Sequence, residues 1–130
     1  MSWDIFIQHF PDGAKRVADV PDTFMPDPIG KRDDVIAKIR SVCPQADFTD
    51  PTWGKVHADD YSLEMGLGDD DPVRNITLHA RGSDGVLSHV SNIVRALGLR
   101  AIDSWTGEFF DSASAGQSLA RWRSYIEDEG

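Results

Sequence analysis

The order of its strand-like and helix-like segments predicts an α+β fold of the ferredoxin-like type, a βαββαβ antiparallel sheet with an added C-terminal short strand and helix. Two observations carry this prediction. Segments 31–43 and 86–97 have apolar residues at helical spacing and separate the strands in that order. Right-handed crossovers would give the four strands the sheet order 4-1-3-2. The strands have the alternation or the β-branched and aromatic content typical of sheets, and they lie at 3–9, 61–68, 73–81 and 99–105.

The first half of the chain is predicted to hold one strand, one helix and two long connections. After the strand at 3–9, residues 11–30 include four prolines. A connection of this length is usually functional, disordered or the sign of a missed element. The helix at 31–43 ends before a proline. Residues 44–60 show no periodic pattern and are predicted to be irregular, with a turn at 50–54.

The second half has clearer signals for where elements begin and end. The strands at 61–68 and 73–81 form a hairpin, and Gly98 lies just past the end of the second helix. A turn at Thr106 and Gly107 leads to a short strand at 108–110. Ser114 and Gln117 fit a capping box for the last helix. The apolar residues of that helix are Ala115, Leu119, Trp122 and Ile126.

Two helices are predicted to cover one face of the sheet, and the other face mixes apolar with charged side chains. Three interpretations of this open face remain. It is exposed to solvent, it is covered by the last helix through Trp122, or it binds a partner, either another protein or a second copy of the chain. Alternation along the strands assigns to it Asp4, Phe6, Gln8, Ser62, Glu64, Thr77, His79, Arg81, Arg100, Ile102 and Ser104.

Composition limits the class of protein. The 130 residues predict a single domain, 1–130, with a net charge of −9 from 13 Lys and Arg and 22 Asp and Glu. This balance argues against nucleic-acid binding led by charge. The chain has no apolar run of membrane-spanning length and no secretory signal pattern, so we expect a cytoplasmic protein without membrane contact. The single cysteine, Cys43, excludes an intrachain disulfide and is expected to be buried and inert.

The acidic residues are mostly aspartates, 18 against 4 glutamates. Asp bonds readily to nearby backbone groups, so many of these residues are expected to shape turns. The net charge itself supports solubility, or it supplies an acidic face for a basic protein partner. The run Asp69, Asp70 and Asp71 lacks the alternate spacing of a calcium loop, so it is predicted as a solvated turn or a binding surface.

One end of the predicted sheet gathers polar residues. On its open face Asp4, His79 and Ser104 could approach one another, as nucleophilic catalysis requires. No nucleophile-elbow motif surrounds Ser104, so a satisfied polar sheet end is the alternative. The four histidines lack the spacing of a metal site, and no metal or cofactor is predicted. The residues of this end are Asp4, His57, Asp60, His79, Arg81, Asp103, Ser104 and Trp105.

Trp53 is the most prominent aromatic residue of the region predicted to be irregular. Phe24, Met25 and Phe48 also lie in the predicted loops. Loop aromatics anchor partners, or they attach long loops to the core. With Phe6, Arg81 and the acidic run, Trp53 completes the predicted binding residues.

Four short segments of the sequence resemble a group of small bacterial proteins of unknown function. They are the opening Met1-Ser2-Trp3-Asp4-Ile5-Phe6-Ile7-Gln8 and the segments at 29–32, 50–54 and 107–111. The resemblance implies a bacterial cytosolic protein and carries no activity and no catalytic residues.

These observations together predict a non-enzymatic cytosolic module that binds a basic protein through an acidic surface, as an immunity protein or antitoxin does. Two alternatives stay open. One is a small-molecule-sensing domain that dimerises through the open sheet face. The other is a small hydrolase at the Asp4, His79 and Ser104 end of the sheet.

Overall fold

A computed structural model of the chain describes residues 2–111 and 115–129, without the side chains of 126–129. Ser114 of the predicted capping box and the side chain of Ile126 lie outside this part. The described residues form an α+β fold with a short 3-10 helix, Val17–Asp19, in the first long connection. The helices are α1 (Arg32–Val42), α2 (Gly85–Leu97) and α3 (Ala115–Glu129). The strands are β1 (Trp3–Gln8), β2 (Asp47–Asp50), β3 (Trp53–His57), β4 (Tyr61–Gly66), β5 (Ile76–Gly82), β6 (Arg100–Asp103) and β7 (Glu108–Phe109).

The strands form one antiparallel sheet in the order β2-β3-β4-β5-β1-β6-β7. This order differs from the predicted four-stranded order, because the sheet has seven strands. The four predicted strands are β1, β4, β5 and β6, and they lie in the centre. β2 and β3 extend one side of the sheet, and β7 is added on the other.

The prediction that residues 44–60 are irregular is wrong, since they contain β2 and β3. β3 turns Gly54 and Val56 to the interior and leaves Lys55 and His57 exposed. Alternation was hidden because the inward Gly54 has no side chain. The ring of Phe48 occupies that space, where a Cβ on Gly54 would lie 2.5 Å from it. Because the ring from β2 fills the space that a side chain of β3 would otherwise occupy, β3 has no periodic apolar pattern in its own sequence.

Alternation along the strands separates a buried face from an exposed one. In β1, Trp3, Ile5 and Ile7 are fully buried, whereas Phe6 is 42% exposed. The buried side chains form one cluster with apolar residues of α1 and α2. Leu119 and Trp122 of α3 belong to the same cluster, so Trp122 does not cover the open face. The sheet therefore has a helical layer on one face only, within the described part of the chain.

Several aspartates shape local backbone, as the sequence predicted. Asp47 accepts hydrogen bonds from the backbone and hydroxyl of Thr49, and Asp50 does the same for Thr52. The hydroxyl bond and then the backbone bond lower the pKa of each carboxyl. Part of the acidic composition thus serves loop geometry. None of the described helices combines the length and the apolar character that crossing a membrane requires.

Candidate functional site

The centre of the open face carries a histidine–aspartate pair on neighbouring strands. β1 and β5 place Asp4 directly opposite His79. His79 Nδ1 lies 2.9 Å from Asp4 Oδ1, and the Ser2 hydroxyl donates to the same oxygen. Both side chains are partly exposed, His79 by 24% and Asp4 by 30%. A carboxylate bonded to one ring nitrogen orients the imidazole and favours the tautomer whose other nitrogen is a base.

Trp53 packs flat against this histidine. The ring centroids of Trp53 and His79 are 5.4 Å apart, with 23° between the planes. The indole crosses Gly66 of β4, where a Cβ would lie 3.0 Å from Trp53 Cζ3. The absence of a side chain at Gly66 therefore lets Trp53 reach across one strand to His79. The prediction that Trp53 lies in a loop is wrong, because it is the first residue of β3.

Further charged residues continue across the sheet from the pair. Glu64 of β4 lies opposite His79 on β5, and Lys55 of β3 lies opposite Glu64. Arg81 Nη1 is 3.7 Å from Glu64 Oε2. The predicted binding residue Arg81 is thus on the open face and is paired with a carboxylate. Acidic and basic groups alternate here beside the histidine.

Ser104 does not complete a catalytic triad. Its hydroxyl donates to the backbone carbonyl of Asp4 at 2.8 Å, and its backbone N–H bonds the same oxygen. The Ser2 hydroxyl is 3.5 Å from His79 Nδ1, on the side of the ring that faces Asp4. Among the described residues nothing bonds His79 Nε2. The pair can therefore accept a proton from a bound group or water, but the predicted nucleophile is not beside it.

An apolar groove lies next to the pair, and we call it the Phe6 groove. Its volume is about 380 Å³. Phe10 lines one side of the groove, and its ring packs edge-on against the ring of Phe109, with 5.1 Å between the ring centroids. The Arg100 guanidinium lies 3.6 Å from the centre of the Phe109 ring. The open face thus presents apolar surface with charge around it. The residues that line the groove are Phe6, Gln8, Phe10, Asn75, Ile76, Thr77 and Ile102.

The acidic run lies in the turn between β4 and β5. Asp71 accepts a hydrogen bond from the backbone N–H of Arg32 at the start of α1. The Arg32 guanidinium donates to the carbonyls of Gly68 and Asp70. Asp71 therefore has a structural role, although it is exposed like Asp69 and Asp70. The described residues contain no group of three or more side chains that could hold a metal ion.

Helix packing creates a cysteine–histidine contact that the sequence analysis missed. Cys43 Sγ lies 3.5 Å from His89 Nδ1, and the Tyr61 hydroxyl lies 2.8 Å from His89 Nε2. Burial raises the pKa of the Cys43 thiol and lowers the pKa of His89. Both shifts favour the neutral forms. Cys43 is buried, as predicted, and both shifts disfavour its thiolate, which is the reactive form of a cysteine.

No protein-family model, no curated protein and no solved structure matches this chain.

Proposed function

We propose that the chain is a non-enzymatic cytoplasmic module that binds a basic protein through the open face of its sheet. The observation that carries the proposal is Phe6, which is 42% exposed on the face of the sheet that no described helix covers. The Phe6 groove supplies apolar surface, and Asp4 lies on the same face of β1, two residues from Phe6. An exposed aromatic residue within a polar rim is the common anatomy of a protein interface.

The charge of the chain supports a basic partner. A net charge of −9 steers a positively charged protein towards the surface and speeds association at low salt. An immunity protein or antitoxin that blocks a basic toxin fits this description. We also infer that β4, β5, β1 and β6 with α1 and α2 form a ferredoxin-like unit. Their adjacency in that order and their antiparallel pairing support it.

The test compares two substitutions that add the same charge at two exposed apolar positions. Phe6→Arg changes the open face, and Met25→Arg changes a residue that is 83% exposed in the 11–30 connection. A library of short random peptides is selected on the wild-type chain, and the recovered peptides are titrated against all three proteins. We expect peptides rich in Lys and Arg that bind Phe6→Arg about tenfold more weakly and Met25→Arg nearly unchanged.

Equal weakening by both substitutions would show that only net charge matters, and recovery of neutral peptides would remove the basic partner. Melting temperatures of the two variants control for folding. Sedimentation of the wild-type chain alone reports whether a second copy covers the face. A stable dimer that Phe6→Arg dissociates would replace the basic partner by a second copy of the chain. The small-molecule-sensing alternative requires, in addition, a ligand that shifts the melting temperature.

The His79–Asp4 pair favours one second candidate, a hydrolase in which His79 is the general base. The free Nε2 beside a groove is the geometry that this role needs. His79→Ala would then abolish a hydrolytic activity while the melting temperature stays nearly unchanged. Ser104→Ala is the matched control, because the structure ties Ser104 to backbone, so it is expected to retain that activity. Unfolding of His79→Ala would instead assign the residue to stability.

A further inference from the structure

A second cavity lies at the end of the sheet where β1 begins and β6 ends, and we call it the Trp105 pocket. Its volume is about 270 Å³. Trp105 and Tyr125 are 38% and 42% exposed, and their ring centroids lie 5.1 Å apart. Large aromatic rings that stay exposed around one cavity are characteristic of ligand sites. The residues that line the pocket are Ser2, Trp3, Ser104, Trp105, Trp122 and Tyr125.

The two serine hydroxyls of the pocket are arranged to accept hydrogen bonds. The hydroxyls of Ser2 and Ser104 both donate their protons to Asp4, to its carboxylate and its carbonyl respectively. Each oxygen keeps lone pairs that can accept from a ligand. The Trp122 indole N–H is fully buried, so it is not offered to a ligand in the cavity. The serine side of the pocket thus favours a ligand that donates.

Two carboxylates make the surroundings of the pocket negative. Asp4 lies behind the two serines, and Asp103 accepts hydrogen bonds from Trp3 Nε1 at 3.1 Å and from the Trp105 backbone at 2.9 Å. Donation from the indole to a carboxylate also enriches the Trp3 ring in electron density. None of the lining residues is basic. A cation is attracted both by the carboxylates and by the faces of the aromatic rings.

We propose that the Trp105 pocket binds the guanidinium group of an arginine side chain from the basic partner. A guanidinium has five N–H donors, no acceptor and a planar face that stacks on aromatic rings. That the arginine belongs to a basic protein partner rests on the proposed function. That the pocket binds a guanidinium group follows from the pocket's own residues. Ser2 directly precedes β1 and is four residues from Phe6, or about 13 Å along extended chain, so one extended segment of a partner could occupy both cavities.

The test titrates N-acetyl-arginine methylamide into the full chain and follows the indole N–H resonances by NMR. The neutral isostere N-acetyl-citrulline methylamide is the control ligand. We expect the resonances of Trp105 and Trp122 to shift, while Trp53 on the open face stays unchanged. Loss of the charge should weaken binding about two- to fivefold, which is the cation–π contribution at exposed rings converted to affinity.

Three variants locate the site. Trp105→Leu and Tyr125→Leu each remove one exposed ring and should weaken arginine binding. Phe6→Leu removes an exposed ring outside the pocket and should not. Equal binding of the citrulline compound, or unchanged binding by both pocket variants, would overturn the proposal. Much tighter binding of free arginine than of the blocked compound would also overturn it, because the occupant would then be a small molecule.

This experiment and the peptide selection fail separately. If blocked arginine does not bind but Phe6→Arg abolishes peptide binding, the pocket is wrong and the open face remains a binding surface. If blocked arginine binds but no basic peptide is recovered, the pocket stands and the proposed function does not.

Discussion

Replacement of Asp103 by alanine should strongly destabilise the fold. The Asp103 carboxylate is 4% exposed and lies between the sheet and α3. It accepts hydrogen bonds from Trp3 Nε1, from the Trp105 backbone and, at 2.5 Å, from the Ser118 hydroxyl. The fully buried Trp3 and the 7% exposed Ser118 cannot turn to water when the acceptor is removed. Each unpaired buried donor costs about 1–3 kcal/mol, so Asp103→Ala should lose about 3–5 kcal/mol.

Asp103→Asn is the matched control for shape. Its amide oxygen can still accept from Trp3 and Trp105, and its NH₂ group can donate to Ser118 if the hydroxyl rotates. The loss is then limited to charge assistance, about 1–2 kcal/mol. Urea unfolding measures both variants through the midpoint, provided that the slope is unchanged. A free energy for Asp103→Ala within about 1 kcal/mol of wild type, or equal losses for both variants, would refute the reasoning.

Three further predictions test local features. The pKa of His89 is lowered by burial, so the unfolded chain takes up this proton first as the pH falls through about 6.5. Stability should therefore fall from pH 7.5 to 5.5, and His89→Gln should reduce that slope in urea unfolding. Gly82→Ala places a Cβ 2.3 Å from the Asp60 carbonyl oxygen at φ +95° and should lower the free energy of unfolding by more than about 2 kcal/mol. Gly98→Ala is the control, because Gly98 is also left-handed but has open space around it, and it should lower the free energy of unfolding by only about 1 kcal/mol. Gly66→Ala should push the Trp53 ring off the histidine below it, so the ring-proton resonances of that histidine should move downfield in NMR spectra.

The elements that the sequence predicts correctly are those with a periodic apolar pattern and a residue that marks where the element ends. Gly98 takes the left-handed conformation at the end of α2, as its position past the apolar stripe indicated. Alternation placed Phe6 on the open face, and the expected antiparallel pairing of the first strand with the second arm of the hairpin, β1 with β5, brought Asp4 and His79 together. These outcomes depend on patterns within one segment or between strands that pair in a simple order.

The parts that sequence reasoning missed depend on contacts between distant segments. β3 was hidden because its inward position is Gly54, filled by Phe48 from another strand, and the location of Trp53 was lost with it. The contact between Cys43 and His89 needs the packing of α1 on α2. The sequence predicts one half of the Trp105 pocket, since it places Trp105 at this end of the sheet. Its partner Tyr125 is 20 residues away on α3, and no spacing rule joins a turn to a helix.

Substitution of Asp4 can test the electrostatic attraction of the Trp105 pocket without disturbing the residues that support the pocket, which substitution of Asp103 cannot do. Both carboxylates are expected to attract a guanidinium, but Asp103 also holds Trp3 and Ser118 in the core. Asp4 is 30% exposed and should tolerate substitution. Asp4→Asn should therefore weaken binding of blocked arginine by about 0.5–1 kcal/mol without lowering the melting temperature. Binding that is unchanged in Asp4→Asn would contradict the electrostatic argument, because the serines and rings would then suffice without the charge behind them.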